Sequence, residues 1–154
     1  MKRWLALLLA ALLVPLCAFA EAPVGLGYTA STAAGLRMTA VSVTESRGSW
    51  NTPAPGTVFV IVTFRVENAS GGDVTLSTVM DFEAFADGRR VDWSQNGMLA
   101  CDWPIDGTVS AGRQAEGQVG WEVPEGWQSL EIHYRPGGWG SALSFGLSRS
   151  DLGW

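Results

Sequence analysis

Beyond its first twenty residues the chain has no lysine, a single histidine and a single cysteine. Each shortage excludes a class of chemistry. One imidazole, His133, cannot build a blue-copper centre, which takes two histidines with a cysteine and commonly a methionine. Zinc sites made from histidine and cysteine fail by the same count. A hydrolase needs a base beside a nucleophile, and the neighbours of His133 along its own strand, Glu131 and Arg135, supply none. With Cys101 as the only cysteine left after export, no intrachain disulfide can form, and packing alone must hold the fold. Cys101 itself reads as a small buried hydrophobe. No glycine loop lies between a strand and a helix to cradle phosphate. No EF-hand-type loop is present; Asp81, Glu83 and Asp87 are close in sequence, but that spacing alone does not make a calcium site. A carboxylate pair for glycoside hydrolysis would need a deep cleft, which a small sandwich seldom offers. No catalytic residue, cofactor or metal is therefore assigned.

What the chain does have begins with an export signal at 1–20. Lys2 and Arg3 form a positive start, Trp4 to Leu16 an apolar stretch, and Ala18-Phe19-Ala20 the small residues of a cleavage site before Glu21. The apolar stretch is too short for an ordinary span, and no later segment is long enough to cross a bilayer. Cys17 leaves lipid anchoring as the second outcome, although Leu16 fits poorly in front of an acylated cysteine. Removing Lys2 and Arg3 takes the formal charge from −5 to −7. Such an acidic domain is a poor nucleic-acid binder and is repelled by anionic lipid, so a membrane enters only if Cys17 is lipidated.

Residues 21–34 are small and polar and read as a flexible leader, with the folded domain at 35–148 and a polar tail at 149–154. "LRMTAVSVTES" alternates, then changes phase between Ala40 and Val41, as a β-bulge would allow. "TVFVIVTFRVEN" is apolar on both faces at first, which predicts a central strand whose far end emerges into solvent. "DVTLS" gives a short strand. "MDFEAFADGRRVDW" reads as a hairpin about Asp87-Gly88, with Met80, Phe82 and Ala84 on one face and Asp81 and Glu83 on a wet one. Residues 94–112 form a long connection. Val119, Trp121 and Val123 mark a half-buried strand ended by Pro124. Leu130, Ile132 and Tyr134 mark the next, with His133 on its polar side, and Leu143, Phe145 and Leu147 the last. Seven or eight strands with no convincing helix predict an all-β fold, an antiparallel β-sandwich.

The segments "GLRMTAVSV", "GTVFVIVTFRVENASGGDVTLS", "DFEAFADGRR" and "AGRQAEGQVGWEVPEGWQSLEIHY", in that order, resemble a family of secreted and lipid-anchored bacterial domains of unknown function. That resemblance implies an immunoglobulin-like, telokin-like sandwich over about Gly35 to Leu147. It also implies a structural relation to a secreted mycobacterial immunoprotective antigen. It supplies no catalytic motif.

Seven tryptophans follow the cleavage site. Trp121 belongs with the core. Trp50, Trp103, Trp127 and Trp139 stand in or beside loops rich in glycine and proline, where they either cap the sandwich ends or anchor a partner. The expected function is an exported, non-enzymatic sandwich that binds an envelope or extracellular macromolecule, a protein or a glycan, through these loops. The alternative is a glycan- or small-ligand-binding module that adds Asp102 and Asp106.

Overall fold

The computed structural model describes residues 22–138 and 142–153. The expected signal peptide, Cys17, Trp139 and Trp154 lie outside the described residues. In chain order the strands are β1 (Thr29–Ser31), β2 (Leu36–Ser46), β3 (Thr57–Asn68), β4 (Val74–Leu76), β5 (Phe82–Ala86), β6 (Arg89–Val91), β7 (Gly107–Val109), β8 (Gln114–Pro124), β9 (Ser129–Tyr134) and β10 (Leu143–Ser148). One short helix, α1 (Gln95–Leu99), stands between β6 and β7. Among the described residues no helix is long and apolar enough to cross a membrane.

Two antiparallel four-stranded sheets, ordered β1-β2-β3-β8 and β10-β9-β5-β6, form the sandwich, and β4 pairs with β7 beside them. The central position expected of "TVFVIVTFRVEN" holds: β3 lies between β2 and β8. Val58, Val60, Val62, Phe64 and Val66 look into the sandwich and are fully buried. Each such side chain contributes about 1.5–3 kcal/mol by leaving water. From the other sheet, Ile132, Tyr134, Ala84 and Phe145 meet them. Phe64 is the centre of an aromatic group, 5.2 Å from Phe145 and 5.5 Å from Phe82, whose ring lies 5.1 Å from Tyr134. The change of phase in β2 is a bulge, with the register to β3 shifting between Ala40 and Ser42. Asp87 and Gly88 take φ of 49° and 75°, the left-handed pair that a tight two-residue hairpin turn requires.

Four expectations are corrected. Residues 22–34 are not a free leader: β1 pairs with β2, and Val24 bridges to Phe145. The stretch lacks an alternating pattern because these contacts are brief and partly exposed. The 94–112 connection holds α1 and β7, giving ten strands rather than seven or eight. The tail at 149–153 folds back, with Arg149 paired to Glu45 at 2.9 Å and Leu152 against the core. Finally, Met80 is exposed and Asp81 is buried, the reverse of their expected faces. They precede β5 in a turn, where strand alternation does not apply. The Asp81 carboxylate accepts N–H bonds from Ser77 and Gly137 at 2.9 and 3.0 Å, tying that turn to the corner after β9. Burial pushes its pKa up in spite of those bonds.

Candidate functional site

The outward face of β3 poses the question that leads to the site. Phe59 and Ile61 point away from the sandwich yet are buried. Two segments cover them. The 47–56 connection passes over Phe59, close at Gly48, and α1 lies over β8 at Gly120.

Glu122 fastens both segments. Its carboxylate accepts the Ala54 N–H at 2.5 Å, the Thr57 hydroxyl at 2.8 Å and the Ser94 hydroxyl at 3.1 Å. Ser94 is also the N-cap of α1, its Oγ accepting the Gly97 N–H at 3.2 Å. The Ala54 N–H first, and then the Thr57 and Ser94 hydroxyls, hold the Glu122 carboxyl below its ordinary range. Asn51 adds a direct link by donating its side-chain N–H to the Asn96 carbonyl at 2.8 Å. Further along, Gln118 of β8 secures the chain after α1. Its N–H donates to the Trp103 carbonyl at 2.8 Å, its carbonyl accepts the Ile105 N–H at 3.1 Å, and its side-chain oxygen accepts the Asp102 N–H at 2.8 Å.

Along this flank stand four large apolar side chains that stay in water: Trp50 (70% exposed), Trp103 (52%), Trp93 (49%) and Leu99 (42%). Of the residues singled out from sequence, Trp50 and Trp103 are therefore brought to one side of the molecule. Trp127 is not with them. It is 1% exposed, its indole N–H donates to Glu45 at 3.1 Å, and it belongs to the core. The turn after Pro124 brings it inward, because the Trp127 N–H donates back to the Pro124 carbonyl. Asp102 is exposed. The Asp106 carboxylate is occupied by the Thr78 N–H and hydroxyl at 2.8 and 2.9 Å, which pin β7 to the turn before β5. Trp93 and Leu99 were missed by sequence reasoning. The available signal was Ser94, an N-cap residue ahead of the Met98-Leu99 pair.

His133 also needs correction. Ser144 stands opposite it on β10, and the Ser144 hydroxyl and His133 Nδ1 are 3.0 Å apart. His133 Nε2 lies 2.7 Å from Glu131, and the imidazole and Phe85 rings stand nearly perpendicular with centroids 5.7 Å apart. A hydroxyl–imidazole–carboxylate row thus exists, built across strands where a reading along one strand could not find it. The row lies on an outer sheet face, and the nearby N–H of Gly146 is bonded to the Val24 carbonyl. Among the described residues no group of three His, Cys, Asp or Glu side chains forms a metal site.

The family whose description is "Domain of unknown function (DUF4352)" matches residues 25–143, which run from the segment before β1 to the first residue of β10 and include the aromatic flank. The chain belongs to the DUF4352 family. Solved structures share the DUF4352 sandwich. The secreted protein MPT63 of Mycobacterium tuberculosis is 20% identical, with a TM-score of 0.56, covering 83% of this chain and 98% of its own. YcdA of Bacillus subtilis, a candidate lipoprotein, is 16% identical with a TM-score of 0.61, over 80% of this chain. This chain spans only 39% of the length of YcdA. An uncharacterized β-sandwich protein of Clostridium difficile is 9% identical with a TM-score of 0.52, over 83% of this chain and 95% of its own. At these identities the likeness shows the fold. No curated protein matches the chain.

Proposed function

We propose that this DUF4352 domain works outside the cytoplasm as a non-enzymatic binding module. Its partner is an envelope or extracellular protein, and its contact surface is the flank formed by Trp50, Trp93, Leu99 and Trp103. The observation that carries the reading is the exposure of three indoles on segments fastened to β8 by Glu122 and Gln118. Indoles held this way keep their area available for contact at little entropic cost, which is why tryptophan is enriched at binding hot spots. The export signal read at 1–20 supports the location, as do the descriptions of MPT63 as secreted and of YcdA as a candidate lipoprotein. The occupied carboxylate of Asp106 makes the glycan-binding alternative weaker than the protein-binding one.

Site-specific photocrosslinking tests this. A photoreactive residue at position 50 or 103, in cells of the source organism, is expected to capture the same partner. One at Thr39, on the far side of the same sheet, is expected to capture none. Equal capture from all three positions, or none from 50 and 103, overturns the proposal.

A further inference from the structure

One hydroxyl of the sandwich has the surroundings of a nucleophile. Ser144 of β10 pairs with His133 of β9, and its hydroxyl stands 3.0 Å from His133 Nδ1. The other ring nitrogen, Nε2, lies 2.7 Å from the Glu131 carboxylate. An ionised carboxylate can only accept, so the ring proton belongs on Nε2 and the lone pair on Nδ1. That lone pair faces the Ser144 hydroxyl and accepts its hydrogen.

The neighbouring charges leave this tautomer in place. Glu83, opposite His133 on β5, is engaged by Arg135 at 2.9 Å and by Arg90 at 3.6 Å. β10 brings no titratable group to the row, since its outward residues are Ser144, Gly146 and Ser148. The His133 side chain is only 18% exposed, and Phe85 stands against its ring. Shielding from water strengthens both polar contacts of the imidazole.

The backbone adds a donor. On the edge of β10 the Ser144 carbonyl accepts the Val24 N–H, and the Gly146 N–H donates to the Val24 carbonyl, each at 2.9 Å. The N–H and C=O of one strand residue point the same way, so the Ser144 N–H is directed to this edge as well. Among the described residues it meets no backbone acceptor there. Ser144 also forms part of the wall of a pocket of ≈ 200 Å³ between β10 and β1, together with Val24, Ala30 and Leu143. A pocket of that size suits a short acyl group.

We infer that Ser144 is a nucleophile that takes up a short acyl group from an activated ester. Its oxygen bonds to the acyl carbon, the leaving group departs with its electron pair, and the hydroxyl proton passes to His133 Nδ1 and on to solvent. The Ser144 N–H supports the developing oxyanion. Glu131 is a positioning residue that keeps the ring in the accepting tautomer. The Gly146 N–H is already bonded to Val24, so only one oxyanion donor serves the reaction. Release of the acyl group by water is therefore slow, and the acyl-serine accumulates. Such stoichiometric uptake is compatible with a binding module and uses no residue of the aromatic flank.

The test mixes the protein, processed as in the cell, with p-nitrophenyl acetate. A burst of about one nitrophenolate per chain is expected, with the acetyl group placed on Ser144 by peptide mass mapping. No lysine beyond residue 20 competes for it. S144A is expected to abolish the burst and H133Q to slow it about a hundredfold. E131V should slow it about tenfold and move the ring toward the Nδ1–H tautomer in 15N spectra, a change that a merely structural role would not produce. p-Nitrophenyl dodecanoate, too long for the pocket, should react more slowly than the acetate. A W50A/W103A double variant is expected to keep the full burst, so failure here and failure of the flank as a contact surface are separable. No burst, acetyl on a residue other than Ser144, an S144A or H133Q protein as reactive as the parent, an E131V ring with its tautomer unchanged, or equal rates for the two esters each overturns the inference.

Discussion

Gly97 of α1 rests on Gly120 of β8 with no side chain between them. A Cβ at Gly120 would lie 2.1 Å from the Gly97 carbonyl oxygen, and one at Gly97 would lie 2.8 Å from the Gly120 carbonyl oxygen. Neither residue has a φ reserved for glycine, so space is the whole constraint. The nearest atoms that would be struck are backbone, which cannot swing aside, and at Gly120 the Cys101 Sγ stands at 2.9 Å as well. Gly120→Ala is expected to lift α1 and cost about 1–3 kcal/mol, read from the midpoint of urea unfolding. A G120A protein as stable as the parent would mean that α1 is not seated as described.

Glu122 and Asp81 are expected to respond to pH in opposite directions. The Glu122 carboxyl is held below its ordinary range, so its contribution is present above that range and is lost as pH falls through its depressed value. Asp81 is raised by burial, so its contribution favours the acid side and is lost as pH rises through its raised value. Carboxyl 13C titration should place Asp81 above the ordinary range of an aspartate and Glu122 below that of a glutamate. Glu122→Gln should cost about 1 kcal/mol at neutral pH and flatten part of the acid-side loss of stability.

Tryptophan substitutions should divide sharply. Trp127→Ala is expected to cost about 3–5 kcal/mol, because a fully buried indole and its bond to Glu45 are both lost. Trp50→Ala should change stability by no more than about 0.5 kcal/mol. In fluorescence, Trp50→Phe should remove part of the acrylamide-quenchable emission while Trp127→Phe leaves it in place.

Cys101 should be chemically quiet. Burial first, and then the nearby Asp102 and Asp106 carboxylates, push its thiol up to about 12. Alkylation by iodoacetamide at pH 8 is expected to be slow in the native protein and to become rapid in denaturant. Fast labelling of the folded chain would show the α1 segment opening without global unfolding.

The strands were legible because burial repeats every second residue. Val58 to Val66 in β3, Leu130 to Tyr134 in β9 and the bulge of β2 all follow from that period. The sites were less legible, because distant partners decide them. Trp50 and Trp127 both sit beside glycine or proline, and what separates them is Glu45, 82 residues before Trp127. Ser144 meets His133 only through the register of β10 on β9. Glu122 looks like one more polar residue on an alternating strand, and its role depends on loops 68 and 28 residues earlier. β1 was missed because three residues of small, polar character carry no usable period.

That short N-terminal ribbon has a consequence for how the protein behaves among copies of itself. β1 lies along the edge of β2, and Val24 exchanges bonds with Ser144 and Gly146 on the edge of β10, each at 2.9 Å. Together they hem both sheets on one side. A chain trimmed to Gly35, where the regular alternation begins, would lose few core atoms yet carry two raw edges. Its fault would be stickiness rather than softness: neighbouring molecules would zip together through β2 and β10. The plainest dozen residues of the domain cover two strand edges that would otherwise lie open to other chains.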